Sequence, residues 1–545
     1  MSSYVQGVWG KLWEMHDQTK KTFMLFSSKG VNNAGDATLK KAAKEVQKNP
    51  RNNRSLRQNI GFLLGPLLFF IILFGLSPEG MPKSALAVLA STVWIATWWI
   101  TEAIPIPATS LLPIILFPIT GAVEGGITNA YADSTIFLFL GGFIIAIAMQ
   151  KWGLHRRIAL NIILFVGTST QRIVLGFMVA TGFLSMWISN TATAMMMMPI
   201  AAAVIAHVTS SLESSLENNK NLENNFGRAI MLGVAYSASI GGVGTLIGTP
   251  PNTIFAGIVK ELYNVQISFA GWMLFGVPLA TIMLIIVWFY LVKFAFPMKL
   301  KEIPGGKTVI QEEKNQLGAM SFEEKLVLVV FILTALTWIT RSFIPLPFVE
   351  RLDDTIIAII ASVILFMLPS KQAKDGKLIN WNDAKEVPWG ILLLFGGGLA
   401  IAKGFKESGL AQWIGEQLTI LQSVHFLVLI LCVTTLVLFL TEITSNTATA
   451  TMMFPIMASL GLALNVHPYA LMVAAGISAS CAFMLPVATP PNAIVFGSGL
   501  LKITDMVRAG FWINIFCIFF ITGMIYFFMP IAWGIDIHVF PDSLK

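Results

Sequence analysis

The sequence is poor in charged residues. Of its 545 residues only 12% are Asp, Glu, Lys or Arg, whereas 55% are hydrophobic and the mean hydropathy is +0.73. A soluble domain carries about 25% charged residues, so this chain is expected to lie in a lipid bilayer. Its apolar stretches are continuous rather than alternating, which argues against a β-barrel. Many approach the roughly 20 residues that span the hydrocarbon core, so the composition predicts an all-α polytopic membrane protein.

Cysteine and histidine are scarce as well. The three cysteines, Cys432, Cys481 and Cys517, lie in apolar stretches without the spacing of a metal site or a disulfide framework, and the six histidines are scattered. The sequence also offers no cluster of metal-ligating residues and no nucleophile–base pair. We therefore expect no enzymatic activity and no tightly bound cofactor.

The net charge of +7 reflects a dense set of lysines and arginines in the first sixty residues. The positive-inside rule places such a segment in the cytoplasm. Because a membrane-flanking segment explains this charge, nucleic acid is not expected as a partner. Val5, Trp9 and Trp13 follow helical spacing, which indicates an amphipathic helix either on the inner membrane surface or against the protein itself.

One long polar stretch inside the chain, residues 297–324, separates two apolar halves. The predicted domains are a basic cytoplasmic N-terminal segment (1–58), a first membrane half (59–296), the polar linker (297–324) and a second membrane half (325–545). The short loops favour a prokaryotic plasma membrane as the location.

Two motifs occur twice. Ser189-Asn190-Thr191 returns as Ser445-Asn446-Thr447 after 256 residues (445 − 189 = 256). Gly248-Thr249-Pro250-Pro251-Asn252 returns as Ala488-Thr489-Pro490-Pro491-Asn492 after 240 residues (489 − 249 = 240). All four copies interrupt apolar sequence, so the repetition predicts two related halves.

A pair of glycines shares the spacing of the Ser-Asn-Thr motifs. Gly141-Gly142 lies in the apolar stretch from Asp133 to Gln150, and Gly397-Gly398 follows it by 256 residues. Because paired glycines permit a sharp reversal of the chain, we expect a re-entrant hairpin here in each half. A plain membrane span also fits the local sequence.

The four motifs are expected to break helices at membrane depth. Proline lacks an N–H and keeps the preceding residue out of the α region. Unwound backbone persists within a bilayer only where it is buried in protein or lines a cavity, and matching breaks in two halves indicate a central transport site. The alternative is that these Ser, Thr and Asn side chains form hydrogen bonds between helices.

The motifs contain no lysine or arginine. An anion would therefore be held by hydroxyls, amides and the N-termini of broken helices, and a neighbouring Na⁺ would supply positive charge. Glu102 and Glu442 lie close to the interruptions. They are either functional or structural, and we do not count them as ligands.

With these motifs the sequence resembles the divalent anion/sodium symporter family, the INDY-type di- and tricarboxylate transporters. The resemblance extends from about residue 55 to the end and includes the stretch from Leu485 to Gly497. It implies about eleven transmembrane spans and two re-entrant hairpins in two inverted repeats. It also implies a homodimer in which a transport domain moves as an elevator against a scaffold domain.

The resemblance also implies site residues. The substrate-binding set comprises Ser189, Asn190, Thr191, Thr249, Pro250, Ser445, Asn446, Thr447, Thr489 and Pro490. A first Na⁺ site would use Ser185, Ser189, Asn190 and Gly248, and a second would use Thr441, Thr444, Asn446 and Ala488.

The expected function is secondary active transport of C4-type dicarboxylates such as succinate, malate, fumarate or 2-oxoglutarate, coupled to Na⁺. The alternative is Na⁺-independent exchange of one dicarboxylate for another on the same fold. The motifs do not distinguish the two, because their oxygen atoms either coordinate ions or support the broken helices.

Overall fold

The structure is a computed structural model that describes residues 55–123, 125–167, 169–213, 220–298, 306–341, 344 and 352–544. Within these ranges the chain is helical and forms no β-sheet. The amphipathic helix predicted around Val5 to Trp13 lies outside the described residues.

The first half consists of helices joined by short connections. Its helices are α1 (Leu56–Gly75), α2 (Lys83–Thr101), α3 (Ile106–Thr109), α4 (Leu112–Ile119), α5 (Ser134–Lys151), α6 (Leu154–Val166), α7 (Thr170–Ser185), α8 (Asn190–Glu213), α9 (Lys220–Gly242), α10 (Pro250–Tyr263) and α11 (Phe269–Tyr290), with a 3₁₀ turn at Ile127–Ala132 and a π-helix at Leu291–Ala295.

The second half has a similar order. Its helices are α12 (Gly306–Gln316), α13 (Phe322–Thr340), α14 (Asp354–Met367), α15 (Trp389–Glu407), α16 (Leu410–Leu418), α17 (Phe426–Thr441), α18 (Asn446–Ala463), α19 (Pro468–Ala479), α20 (Pro490–Phe496), α21 (Ile503–Gly523) and α22 (Met529–Trp533), with 3₁₀ turns at Asp383–Glu386, Thr419–Ser423 and Asp542–Leu544 and a π-helix at Met524–Phe528. Helix α12 lies in the predicted polar linker and packs against α6 and α8.

Length and apolarity allow seven of the described helices to cross a membrane, or eight if the bent pair Leu410–Ser423 and Phe426–Thr441 is one span. Three shorter apolar helical segments add to these, at Ile106–Ile119, Asp354–Met367 and Pro468–Ala479. The prediction of an all-α multi-pass membrane protein is confirmed in this form. The count of eleven spans stays a prediction.

Helix bounds follow the spacing of the sequence repeat. Three pairs of helices begin 256 residues apart, namely at Leu154 and Leu410, at Thr170 and Phe426, and at Asn190 and Asn446. The first pair follows glycines in the left-handed region, Gly153 at φ +71° and Gly409 at φ +79°. Residues with a side chain are disfavoured at such a φ, which explains glycine at both positions. The same turn therefore precedes the helix in both halves.

The predicted reversal at the glycine pairs is wrong. Ser134–Lys151 and Trp389–Glu407 are uninterrupted helices, as the alternative of a plain span predicts. The glycines serve close packing instead. A Cβ on Gly141 would lie 2.6 Å from Ala358 Cβ on α14, and one on Gly397 would lie 2.6 Å from the carbonyl oxygen of Ser110.

The two halves exchange their short helices. Helix α20 of the second half packs against α8 and α9 of the first, while α10 of the first half packs against α15, α18 and α19 of the second. These short helices carry the Thr-Pro-Pro-Asn motifs at their N-termini. The exchange therefore brings both copies of that motif next to the other half.

Candidate functional site

Each Ser-Asn-Thr motif lies at a break between two helices. In the first half α7 ends at Ser185 and α8 begins at Asn190. In the second half α17 ends at Thr441 and α18 begins at Asn446. The asparagine of each motif is thus the first residue of a helix.

A buried hydroxyl holds each of these asparagines. Ser185 Oγ lies 2.5 Å from Asn190 Oδ1 and donates to the carbonyl oxygen of Ala238 at 2.6 Å. Thr441 Oγ1 lies 2.8 Å from Asn446 Oδ1 and 2.9 Å from the carbonyl oxygen of Ala479. The two halves therefore position their asparagines in the same way.

The amide of Asn190 points at a group of oxygen atoms. Its terminal atom lies 2.5 Å from Ser185 Oγ, 3.1 Å from the Ala238 carbonyl oxygen and 3.3 Å from the Gly248 carbonyl oxygen. If the amide nitrogen faces these atoms, it donates to them. If the amide oxygen faces them, four oxygens converge, and such a set suits a hard cation.

The Thr-Pro-Pro-Asn motifs break their helices before the prolines rather than at them. Thr249 and Thr489 are extended, at φ −141° and −140°. Pro250 and Pro490 are then the first residues of α10 and α20. Both features follow from proline, which excludes the α region for the residue before it and has a φ suited to the first helical position.

The asparagine that ends this motif forms hydrogen bonds with the unwound chain before it. Asn252 Nδ2 donates to the carbonyl oxygens of Gly242 and Thr245 at 3.2 and 2.7 Å. Asn492 Nδ2 donates to those of Ala482 and Leu485 at 3.1 and 3.0 Å. The acceptors lie ten and seven residues upstream in both halves. Sequence reasoning assigned no role to these asparagines, because the bonds become visible only when the preceding helix end is placed.

All four motifs open onto one cavity of about 630 Å³, which we call the central cavity. Every residue of the predicted substrate-binding set lines it: Ser189, Asn190, Thr191, Thr249, Pro250, Ser445, Asn446, Thr447, Thr489 and Pro490. Apolar side chains, among them Phe139 and Phe143 of α5 and Ile391 of α15, complete its walls.

The remaining residues of the predicted Na⁺ sites lie in or directly behind the wall of the central cavity. Gly248, Thr444 and Ala488 line it, whereas Ser185 and Thr441 are buried and reach it through Asn190 and Asn446. The hydroxyl of Thr444 points away, towards Thr449 Oγ1 at 2.6 Å and the Leu440 carbonyl oxygen at 2.8 Å.

Four helices begin at the central cavity. They are α8 at Asn190, α10 at Pro250, α18 at Asn446 and α20 at Pro490. A helix N-terminus carries about half an elementary positive charge, and α8, α10 and α18 have 24, 14 and 18 residues. These three ends together offer about +1.5 charges, so the cavity favours an anion although the motifs contain no cationic side chain.

Arg57 is a charged residue of this site that sequence reasoning missed. It lies in the first turn of α1, lines the central cavity beside Glu102, and donates to the carbonyl oxygens of Ile100 and Ile443. The sequence placed Arg57 among the basic residues of the N-terminal segment, and no local signal separates it from them. Glu102 is exposed and directly follows α2, with a left-handed backbone at φ 51°.

Glu442 is buried, and its carboxylate accepts hydrogen bonds from the protein itself. Its carboxylate accepts from the backbone N–H groups of Phe483, Met484 and Leu485 at 2.8 to 3.2 Å and from Asn514 Nδ2 at 2.6 Å. These three N–H groups belong to the unwound chain before Thr489. The structural reading of Glu442 therefore fits the geometry.

A helical membrane protein whose duplicated, broken helices converge on one polar cavity has the architecture of a secondary transporter. The comparison with known families agrees with this class. The family described as the sodium:sulfate symporter transmembrane region matches residues 57–533. The chain belongs to this family, the divalent anion/sodium symporters, so the resemblance seen in the sequence is confirmed.

Curated relatives are similar over nearly the whole chain. The sodium-dependent dicarboxylate transporter SdcS of Staphylococcus saprophyticus is 50% identical over 495 residues, which cover 90% of this chain and 95% of that protein. The transporter of the same name from Staphylococcus aureus strain USA300 is 50% identical over 488 residues, or 89% and 94% of the two chains. These proteins are named as transporters, so the chain is a transporter and not an enzyme.

Two solved structures share the fold at low sequence identity. The YdaH transporter of Alcanivorax borkumensis superposes with a TM-score of 0.54 and 12% identity, covering 82% of this chain and 99% of that one. MtrF of Neisseria gonorrhoeae gives a TM-score of 0.52 at 13% identity, covering 87% and 95%. At these identities the likeness concerns the fold alone.

Proposed function

We propose that the protein transports C4-type dicarboxylates, such as succinate, malate, fumarate or 2-oxoglutarate, together with Na⁺. The observation that carries this proposal is the convergence of both Ser-Asn-Thr and both Thr-Pro-Pro-Asn motifs on the central cavity. The relatives at 50% identity, which are named as sodium-dependent dicarboxylate transporters, support the same substrate and ion.

The two Ser-Asn-Thr motifs suit the two ends of a dicarboxylate. In this proposal the side chains of Asn190 and Thr191 contact one carboxylate, and those of Asn446, Thr447 and Thr489 contact the other. Hydroxyls and amides donate to carboxylate oxygens, while Ser189, Ser445, Thr249, Pro250 and Pro490 shape the cavity around them. The helix N-termini then stabilise most of the substrate's negative charge.

Na⁺ supplies the remaining positive charge. The first ion is assigned to Ser185, Ser189, Asn190 and Gly248, of which Ser185 Oγ and the Gly248 carbonyl oxygen lie 2.5 and 3.3 Å from the terminal atom of the Asn190 amide. The second is assigned to Thr441, Thr444, Asn446 and Ala488, with Thr444 and Ala488 contributing backbone oxygens. Because these ligands adjoin the residues that contact substrate, ion binding and substrate binding stabilise one another.

The transport cycle is proposed to be an elevator within a homodimer in the plasma membrane, with the N-terminus in the cytoplasm. We place the two re-entrant hairpins of the inverted repeats at the Ser-Asn-Thr breaks instead of the glycine pairs. The helices on either side of each break contact one another, α7 with α8 and α17 with α18, as the arms of a hairpin must.

Coupling to Na⁺ separates this proposal from dicarboxylate exchange. In proteoliposomes that hold the full chain, succinate uptake should require external Na⁺ and fall to the level of empty liposomes when choline replaces it. Internal dicarboxylate should not restore uptake in choline. Uptake that is indifferent to Na⁺ but needs internal dicarboxylate would establish the exchange mechanism instead.

Substitution of Gly242 tests the first Na⁺ site without removing a ligand. A Cβ on Gly242 would lie 2.7 Å from Asn190 Oδ1 and 3.1 Å from the Gly248 carbonyl oxygen. Gly242→Ala should therefore displace both and raise the Na⁺ concentration for half-maximal uptake by about tenfold, the equivalent of one lost contact of about 1.4 kcal/mol.

Gly227→Ala on the same helix is the matched control, because its Cβ would meet Ile205 at an ordinary 3.5 Å. It should leave the Na⁺ dependence unchanged. An unaltered half-saturating Na⁺ concentration in Gly242→Ala would place the ion elsewhere.

A further inference from the structure

A second cavity lies outside the transport site. It has a volume of about 610 Å³ and is lined by the start of α9, the end of α11 with its π-helix, and the N-terminal half of α21. None of its residues lines the central cavity. The proposed transport function therefore gives this second cavity no role.

Two arginines give the second cavity a positive charge. Arg228 Nε lies 3.3 Å from Asp505 Oδ2 but is buried without a well-aligned hydrogen bond. Arg508, also in the lining, makes no ion pair or hydrogen bond with another residue in the described part of the chain. A guanidinium has five N–H donors in a fork that fits phosphate oxygens, so most donor capacity here is free for an anion.

Three exposed aromatic side chains line this cavity. Phe289, Phe294 and Trp512 line it and are 47%, 69% and 58% exposed. Exposed aromatic side chains contribute nothing to the binding of a small hydrophilic anion in water. They do provide a surface for acyl chains, since all three belong to helices long and apolar enough to cross a membrane.

The second cavity lies at the ends of two candidate membrane spans. Tyr290 and the π-helix Leu291–Ala295 end one candidate span, and Asp505 and Arg508 lie just inside the start of another. Arginines between helices at the membrane boundary bind anionic headgroups while the flanking rings contact the chains. The π-helix contributes Phe294 and Ala295 to the wall, and such widened turns are frequent at functional sites.

We propose that the second cavity binds an anionic phospholipid, with the phosphate between Arg508 and Arg228 and the acyl chains along Phe289, Phe294 and Trp512. Asp505 competes with the phosphate for Arg228 and limits the affinity. The inference does not depend on which substrate the central cavity carries.

Lipid binding to the purified full chain tests this site. The probe is phosphatidylglycerol added to detergent-solubilised protein and followed by native mass spectrometry, with phosphatidylcholine of the same chains as the neutral comparison. Arg508→Gln should weaken phosphatidylglycerol binding about tenfold, as expected for the loss of one charge-assisted contact. Lys502→Gln, which removes a cation from the same helix end but not from the lining, should not.

Asp505→Asn provides a test of opposite sign. It removes the competing carboxylate and should tighten phosphatidylglycerol binding several-fold, so the proposal stays testable even if Arg508→Gln folds poorly. Equal binding of both lipids, or equal affinity in wild type and Arg508→Gln, would overturn the proposal. If millimolar inorganic phosphate displaced phosphatidylglycerol as effectively as added phosphatidylglycerol does, the cavity would be a site for free anions and the proposal would be wrong.

Discussion

Asn446→Ala should reduce succinate uptake at least about 100-fold. The substitution removes an amide that lines the central cavity and is held by Thr441 Oγ1 at 2.8 Å. A hydrogen bond to a charged group contributes about 1.5–3 kcal/mol, and the same amide is proposed to bind both substrate and Na⁺. Two such losses correspond to a factor of about 100 or more. Uptake into proteoliposomes is the measurement, and Asn190→Ala should behave alike because of the repeat.

The control for this pair is Asn161→Ala, which changes an exposed asparagine on α6 outside the central cavity. It should transport at the wild-type rate. All three variants should elute as the same oligomer in size-exclusion chromatography, which separates a loss of binding from a loss of folding. Normal uptake by both Asn190→Ala and Asn446→Ala would remove the central cavity as the substrate site.

Glu442→Ala should unfold at a temperature several degrees lower than wild type and lose most of its transport. The substitution leaves three backbone N–H groups and the Asn514 amide without their buried acceptor. Each buried unsatisfied group costs about 1–3 kcal/mol, and these N–H groups belong to the unwound chain that leads to Thr489. Thermal unfolding of the purified full chain measures the effect.

Two further variants sharpen the interpretation of Glu442. Glu442→Gln retains one acceptor oxygen and should recover part of the stability, whereas Glu416→Ala, on the exposed surface of α16, should change neither property. A Glu442→Ala protein with wild-type stability but no transport would instead make this carboxylate a direct ligand.

The helix breaks at the repeated motifs show which structural features the local sequence specifies. Pro250 and Pro490 constrain φ and the preceding residue through covalent geometry, so breaks at Thr249 and Thr489 were predictable. The duplication of Ser-Asn-Thr and Thr-Pro-Pro-Asn predicted that the four breaks would act together, and all of them line the central cavity.

The failures arise where a residue's role depends on a distant partner. A glycine pair allows either a reversal of the chain or close helix packing. At Gly141 the outcome is close packing, and it depends on Ala358, which lies more than two hundred residues away in the sequence. Arg57 belongs by sequence to a basic segment, and only the position of α1 beside Ile443 brings it to the cavity. Neither fact is encoded within a short window of residues.

The exchange of short helices between the halves has a consequence for biosynthesis. Helix α10 finds its full packing surface only when α18 and α19 have emerged, and α20, which packs against α8 and α9, emerges later still. In a nascent chain, one face of α8 and α9 therefore lacks its partner helix until residue 496 has been made. Ligands are of no help to this intermediate, because no complete pocket exists before synthesis is nearly finished.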